Sequence, residues 1–102
     1  MSMFKVTIKR TAPQGKEKEL LDLITQLRVK ASGQQGYVSG ETLLNAKVPG
    51  EFLVISVWDR EVDWNKWVAS EVRKALEDRI EALIGANSIY STYSYPHLSH
   101  AA

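Results

Sequence analysis

Between Phe52 and Asp59 the chain reads FLVISVWD and is apolar on both parities. In an extended segment Phe52, Val54 and Trp58 point one way and Leu53, Ile55 and Val57 the other; only Ser56 interrupts. A strand that is apolar on both sides is one that is covered on both sides. This segment therefore demands a layer of protein on each face of its sheet. The other elements either supply both layers or leave one to a partner.

The surrounding pattern supplies one layer. FKVTIKRT (Phe4 to Thr11) alternates Phe4, Val6 and Ile8 with Lys5, Thr7 and Lys9, the period of a half-buried strand. Ala12-Pro13-Gln14-Gly15 breaks it. From Lys16 the period lengthens: Leu20, Ile24, Leu27 and Ala31 form the stripe of an amphipathic helix, with Lys16-Glu17-Lys18-Glu19 on its wet side. Gly33 is expected to end that helix as a left-handed cap. Tyr37 to Asn45 reads as a weaker strand, because Gly40 inside it signals a bulge or a close backbone approach. Lys47-Val48-Pro49-Gly50 fits a turn, so this strand and the next form a hairpin. Arg60 to Ser70 carries Val62, Trp64, Trp67 and Val68 at helical spacing. Ser70 suits the cap of a second run, striped by Val72, Leu76, Ile80 and Leu83 and stopped by Gly85. Ser88 to Tyr95 is the last strand. Residues 96–102 carry no pattern and are expected to be a mobile tail after a domain spanning residues 3–95.

The order β-α-β-β-α-β predicts an α+β fold of the ferredoxin-like type, a four-stranded antiparallel sheet with its helices on one face. The other face stays bare, although the third strand is apolar there too. Leaving apolar surface wet forgoes roughly 25 cal/mol per Å², and large patches are rare on monomers. The simplest cover is a second copy of the sheet about a two-fold axis. A homodimer packed sheet to sheet is expected.

Composition narrows the function. Thirteen Lys plus Arg against twelve Asp plus Glu give a net charge of +1. That is too balanced for a protein that grips nucleic acid, despite Lys5, Lys9 and Arg10 on one strand. With no cysteine, disulfides, thiol nucleophiles and Cys-based metal sites are excluded. No apolar run approaches the roughly 20 residues of a membrane span. The opening Met-Ser-Met-Phe-Lys lacks the apolar core of a secretory signal. A cytoplasmic protein without nucleic-acid or membrane partners is expected. His97 and His100 form His-x-x-His in the tail, but ligands need fixed geometry and a third partner, so no metal site is expected.

GYVSGETLL (Gly36 to Leu44), FLVISVWDREVDWNKWVAS (Phe52 to Ser70) and the closing strand around Ile89-Tyr90 carry a resemblance. On these segments the chain resembles the antibiotic biosynthesis monooxygenase family, in the dimeric α+β barrel group. The resemblance implies a dimer with a pocket between sheet and helices in each subunit. It also implies one of two chemistries. Relatives oxidise polyphenols or quinols with molecular oxygen and neither metal nor flavin, or they bind and degrade haem. The haem-degrading branch relies on a Trp, an Asn on the first strand and an axial His. Trp67 matches, but the other two positions hold Ile8 and Glu77, and a carboxylate is a poor haem-iron ligand. Haem degradation is disfavoured, and no cofactor is expected.

The resemblance thus implies a cofactor-independent monooxygenase acting on a small phenolic, polyphenol or quinol-like compound. Trp67 stands where the family places a pocket-lining Trp or His, and Trp64 where it usually has a core Phe. Asn65 and Arg73 are the polar candidates for stabilising an oxyanion, with Trp64, Tyr90 and Tyr93 as further lining. Each has a plainer reading. Trp64 and Trp67 share a helical face, as core residues do. Asn65 stands about 100° off that face. Arg73, Lys74, Glu77, Asp78 and Glu81 have the spacing of a solvated, ion-paired face, from which Arg73 is set apart by lying six residues past Trp67. Strand tyrosines mostly pack. The alternative function is a non-catalytic barrel holding a small apolar ligand in the same pocket.

Overall fold

A computed structural model describes residues 3–96; His97, His100 and the rest of 97–102 lie outside the described residues. The elements are β1 (Phe4–Thr11), α1 (Glu17–Ser32), β2 (Tyr37–Leu44), β3 (Glu51–Trp58), α2 (Glu61–Val68), α3 (Glu71–Ile84) and β4 (Ile89–Ser94). The sheet order is β2-β3-β1-β4 and every neighbouring pair is antiparallel. This is the α+β ferredoxin-like arrangement, with the second helical region divided into two helices.

The alternation in β1 and β3 decides which face the helices cover. Val6 opposes Ser56 and Ile8 opposes Val54. On that face Phe4, Val6, Ile8, Phe52 and Trp58 are buried against Leu20, Ile24, Leu27 and Ala31 of α1, Trp64 and Trp67 of α2, and Leu76 and Ile80 of α3. Ser70 separates α2 from α3: its backbone is extended and its Oγ accepts the Arg73 N–H at 3.2 Å. That cap starts a new helix.

Three local expectations are corrected. Gly33 is not a left-handed cap; its φ is −89°. The helix unwinds instead through a tight turn in which Gln34 N–H reaches the Ala31 carbonyl at 2.9 Å. The reversal into β2 falls at Gly36, φ 85°, where the Asp63 side chain leaves no room for a Cβ. The β2 irregularity lies between Tyr37 and Ser39 rather than at Gly40. What crowds Gly40 is the Tyr37 hydroxyl; the nearest backbone atom, the Ile55 carbonyl oxygen, would stand at an ordinary 3.7 Å from a Cβ there. Finally, the buried stripe of α3 is Arg73, Leu76, Glu77, Ile80 and Ile84, while Val72 is 48% exposed. The helix is rotated from the apolar solution because two of its charges have partners inside.

The β2–β3 turn ties the hairpin to β1. Glu51 N–H donates to the Val48 carbonyl at 3.3 Å, and Ala12 N–H donates to the Gly50 carbonyl at 2.9 Å. Gly50 has φ 78°, and a Cβ there would stand 2.8 Å from the Ala12 carbonyl oxygen. Gly15 shares the left-handed φ, 86°, but has nothing near it. Gly50→Ala is therefore expected to cost about 2 kcal/mol or more, and Gly15→Ala only about 1 kcal/mol, the left-handed penalty alone. Urea midpoints of the two variants check this; equal losses would contradict it.

The opposite sheet face carries Lys5, Thr7 and Lys9 of β1 and, paired with them by register, Tyr93, Ser91 and Ile89 of β4. Leu53, Ile55 and Val57 of β3 lie half-buried on this face, while Leu43, Ile89 and Tyr93 are exposed. Among the described residues, no helix is long and apolar enough to cross a membrane.

Candidate functional site

An apolar cavity of about 40 Å³ lies between the sheet and the helices. All three tryptophans of the chain line it, Trp58 from the end of β3 and Trp64 and Trp67 from α2. The spacing of α2 explains this: Trp64 and Trp67 are one helical turn apart and both face inward, 7% and 4% exposed. Trp58, fully buried, stacks edge-on with Tyr37 and Trp64, ring centroids 5.4 and 5.8 Å away. Its indole N–H donates to Ser56 Oγ at 3.1 Å.

The charged groups at this cavity are guanidiniums, beside the hydroxyls of Ser56 and Tyr37. Arg10, Arg28 and Arg73 line it, and no carboxylate does. Arg10 has the parity of Phe4, Val6 and Ile8, so its side chain points from β1 into the interior. There its Nη2 donates to Glu77 Oε1 at 2.6 Å and its Nε to Ser88 Oγ at 2.9 Å. Ser88 Oγ donates to the other Glu77 oxygen, and Ser88 N–H donates to Glu81 Oε2 at 3.1 Å. Both ends of Arg10 and both oxygens of Glu77 are thus engaged. Burial would raise the Glu77 pKa, but the Arg10 charge, hydrogen bonds from Ser88 and Arg10, and the Arg73 charge outweigh it. The carboxyl is held below its ordinary 4.5.

Arg73 is differently placed. It is 7% exposed, yet its Nη2 stands 3.8 Å from Glu77. That Nη2 donates to the Tyr90 hydroxyl. Its guanidinium lies 5.9 Å from the Trp64 ring centre and 5.3 Å from that of Tyr90. The Tyr90 hydroxyl is pushed above its usual 10.0 by burial and then by the Glu77 charge, which outweigh the opposing arginines. It stays protonated at neutral pH.

Two open clefts flank the cavity. One, about 480 Å³, runs along α1 and shares Arg28, Tyr37 and Gly40 with it. The other, about 390 Å³, shares Trp64 and Arg73 and is walled by Glu77, Asp78, Glu81 and Tyr90. A benzene ring needs a cavity of roughly 150 Å³, so a ring enters only when a wall moves. Tyr37 and Arg28 form the wall next to the larger cleft. The Tyr37 hydroxyl is pushed above 10.0 by burial, partly offset by Arg28.

Of the residues singled out in the sequence, Trp64, Trp67 and Arg73 come together at the cavity, and Tyr90 adjoins them through Arg73. Asn65 is exposed on α2. Tyr93 lies on the opposite sheet face, paired with Lys5. The solvated-face reading of the α3 charges holds for Lys74 and Asp78 and fails for Arg73 and Glu77, which are buried. Arg10, Arg28, Tyr37, Glu77 and Ser88 were not legible as site residues. Arg10 had a signal: its parity matches the apolar side of β1. Among the described residues, no group of three or more His, Asp or Glu side chains is arranged to hold a metal ion.

An antiparallel sheet with helices on one face and an aromatic, arginine-edged cavity beneath them defines a small α+β domain of the ferredoxin-like type. The sequence matches the family described as antibiotic biosynthesis monooxygenase over residues 3–83, and the chain belongs to that family. Among solved structures it is similar to a conserved protein from Methanosarcina mazei Go1 at 15% identity, covering 91% of this chain and 92% of that one, with a TM-score of 0.84. It is also similar to SnoaB, a cofactor-independent oxygenase from Streptomyces nogalater, at 14% identity with 95% of each chain covered and a TM-score of 0.79. The protein Rv0793 from Mycobacterium tuberculosis matches at 13% identity over 98% of this chain and 99% of that one, TM-score 0.81. At these identities the structures show a shared fold. A search of curated proteins finds no significant match.

Proposed function

We propose that the protein is a cofactor-independent monooxygenase that oxidises a small phenolic or quinol-like compound with molecular oxygen, working in the cytoplasm as a homodimer of residues 3–95. One observation carries this reading: a cavity walled by Trp58, Trp64 and Trp67 and edged by the incompletely paired Arg73. Family membership supports the monooxygenase class.

In such a reaction the substrate supplies the electrons. A phenol loses its hydroxyl proton to water and becomes electron-rich at the ring carbons beside and opposite the oxygen. Oxygen adds at one of these that carries a hydrogen, that hydrogen is lost, and the peroxide releases water to leave a quinone. One oxygen atom stays on the ring and the other leaves as water. The protein's part is orientation and charge. Trp64 and Trp67 hold the flat ring, which is where a fixed geometry lowers the barrier most. The Arg73 guanidinium, with the protonated Tyr90 hydroxyl beside it, faces the negative charge that develops on oxygen. In a low-dielectric cavity that interaction is stronger than in water.

The test is oxygen uptake with a panel of hydroquinones and polyphenols. Uptake above the protein-free rate is expected, falling about tenfold or more in Trp67→Ala and less in Trp67→Phe, which keeps a flat wall. Ligand-dependent quenching of tryptophan fluorescence with no uptake by any substrate would replace this reading with the non-catalytic binding barrel.

A further inference from the structure

Arg10 and Arg73 stand beside the same carboxylate, but only one of them is satisfied by it. Glu77 Oε1 is 2.6 Å from Arg10 and 3.8 Å from Arg73, and its other oxygen is taken by Ser88. Arg73 therefore pairs with Glu77 only at the longer 3.8 Å, although it is just 7% exposed. Its Nε and Nη1 have no hydrogen-bond partner among the described residues, and no buried side-chain nitrogen or oxygen is left without one. These two donors consequently reach open space, and Arg73 lines both the cavity and the cleft beside Tyr90. In that outer cleft Glu77, Asp78 and Glu81 outnumber Arg73 and Lys74 and disfavour an anion, whereas the cavity side has no acid and a third guanidinium, Arg28.

Resting on the phenolic-substrate reading and narrowing it, we propose that the natural ligand is a hydroxylated aromatic acid. Its ring lies against Trp64 and Trp67 and its carboxylate is received by the spare Nε and Nη1 of Arg73, which leaves the Nη2 edge with the Tyr90 hydroxyl toward the reacting oxygen. A guanidinium prefers a carboxylate to other acceptors because its planar donors match two oxygens at once. A neutral ring would desolvate the free Nε and Nη1 donors of Arg73 without giving them an acceptor of opposite charge, which disfavours it. Arg10 acts differently: it holds Glu77 in place and ionised, so that Glu77 steadies Arg73 without neutralising it.

The test needs no turnover, because every tryptophan of the chain lines the cavity and reports its occupancy. The probes are 4-hydroxybenzoate and 4-hydroxybenzamide at pH 7, alike in shape and differing by one charge. The benzoate is expected to quench the fluorescence of the wild-type protein with a Kd about tenfold or more below that of the amide. The preference should collapse in Arg73→Gln and persist in Lys47→Gln, which removes a charge in the distant β2–β3 turn. Should Arg73→Gln fail to fold, Arg73→Lys carries the test. It keeps the charge but loses the planar fork, and the preference should fall severalfold. Equal affinity for both probes, or an undiminished preference in the Arg73 variants, overturns the aromatic-acid proposal and leaves the phenolic reading standing. Quenching by neither probe at millimolar concentration overturns the cavity as a ring-binding site, and this proposal with it.

Discussion

Glu77→Ala is expected to lower the stability of the protein by about 3–5 kcal/mol, the range for removing one member of a buried ion pair. Small domains have only about 5–15 kcal/mol in total, so the variant should stand at the edge of unfolding. The reason is the charge left behind. Arg10 is 2% exposed and donates to Glu77 and to Ser88; without the carboxylate it is a bare cation in the core. Glu77→Gln retains an acceptor for Arg10 and is expected to cost less. The same carboxyl adds an acid dependence. Its folded-state pKa lies below the unfolded 4.5, so between the two values the unfolded chain binds more protons and stability rises with pH. Its contribution is complete above about pH 4.5 and is lost as pH falls through the lowered folded value. Urea unfolding of wild type and Glu77→Gln, followed downward from pH 6, checks this. The gap between them should close on acidification, and a constant gap would show that the carboxyl is not held ionised.

The order of elements was legible because each strand and helix announces its own period. Phe4–Thr11 in β1 matches the alternating run residue for residue. Trp64 and Trp67 were legible because one-turn spacing puts any two side chains on one face. The polar interior was not. Arg73 and Glu77 at i,i+4 look like a surface pair, and nothing local distinguishes it from Lys74 and Asp78, one position on. What buries the first pair is Arg10, 67 residues away from Glu77 in the chain, a partner that only the β1 register brings beneath α3. The rotation of α3 follows from that pairing, at the expense of Val72, which turns outward. Tyr93 illustrates the converse. Composition makes it a lining candidate, but strand parity beside Lys5 decides its face.

The face that Tyr93 shares carries the second large effect. The wild-type protein is expected to sediment near twice 11.5 kDa, and Ile55→Glu to sediment as a folded monomer. Ile55 sits at the middle of β3, opposite Thr7 of β1 and Glu41 of β2. It is flanked along its strand by Leu53 and Val57, all three half-buried in the single subunit. Closing a two-fold contact over this face buries the isoleucine of both copies, at roughly 1.5–3 kcal/mol for each side chain. A glutamate there loses that gain and, beside Glu41, adds an unpaired carboxylate that dimerisation would have to desolvate. Because a two-fold interface contains every substitution twice, dimer affinity should fall by about a thousandfold or more. The helix-covered core is on the other side of the sheet, so the subunit should keep its fold and its far-ultraviolet dichroism. A wild-type monomer at micromolar concentration would mean that the open face is simply wet. A variant that remains dimeric would mean that the subunits meet elsewhere. A monomeric variant that still takes up oxygen would show that each cavity, with its Trp64, Trp67 and Arg73, works within one subunit, and that the apolar side of β3 serves assembly alone.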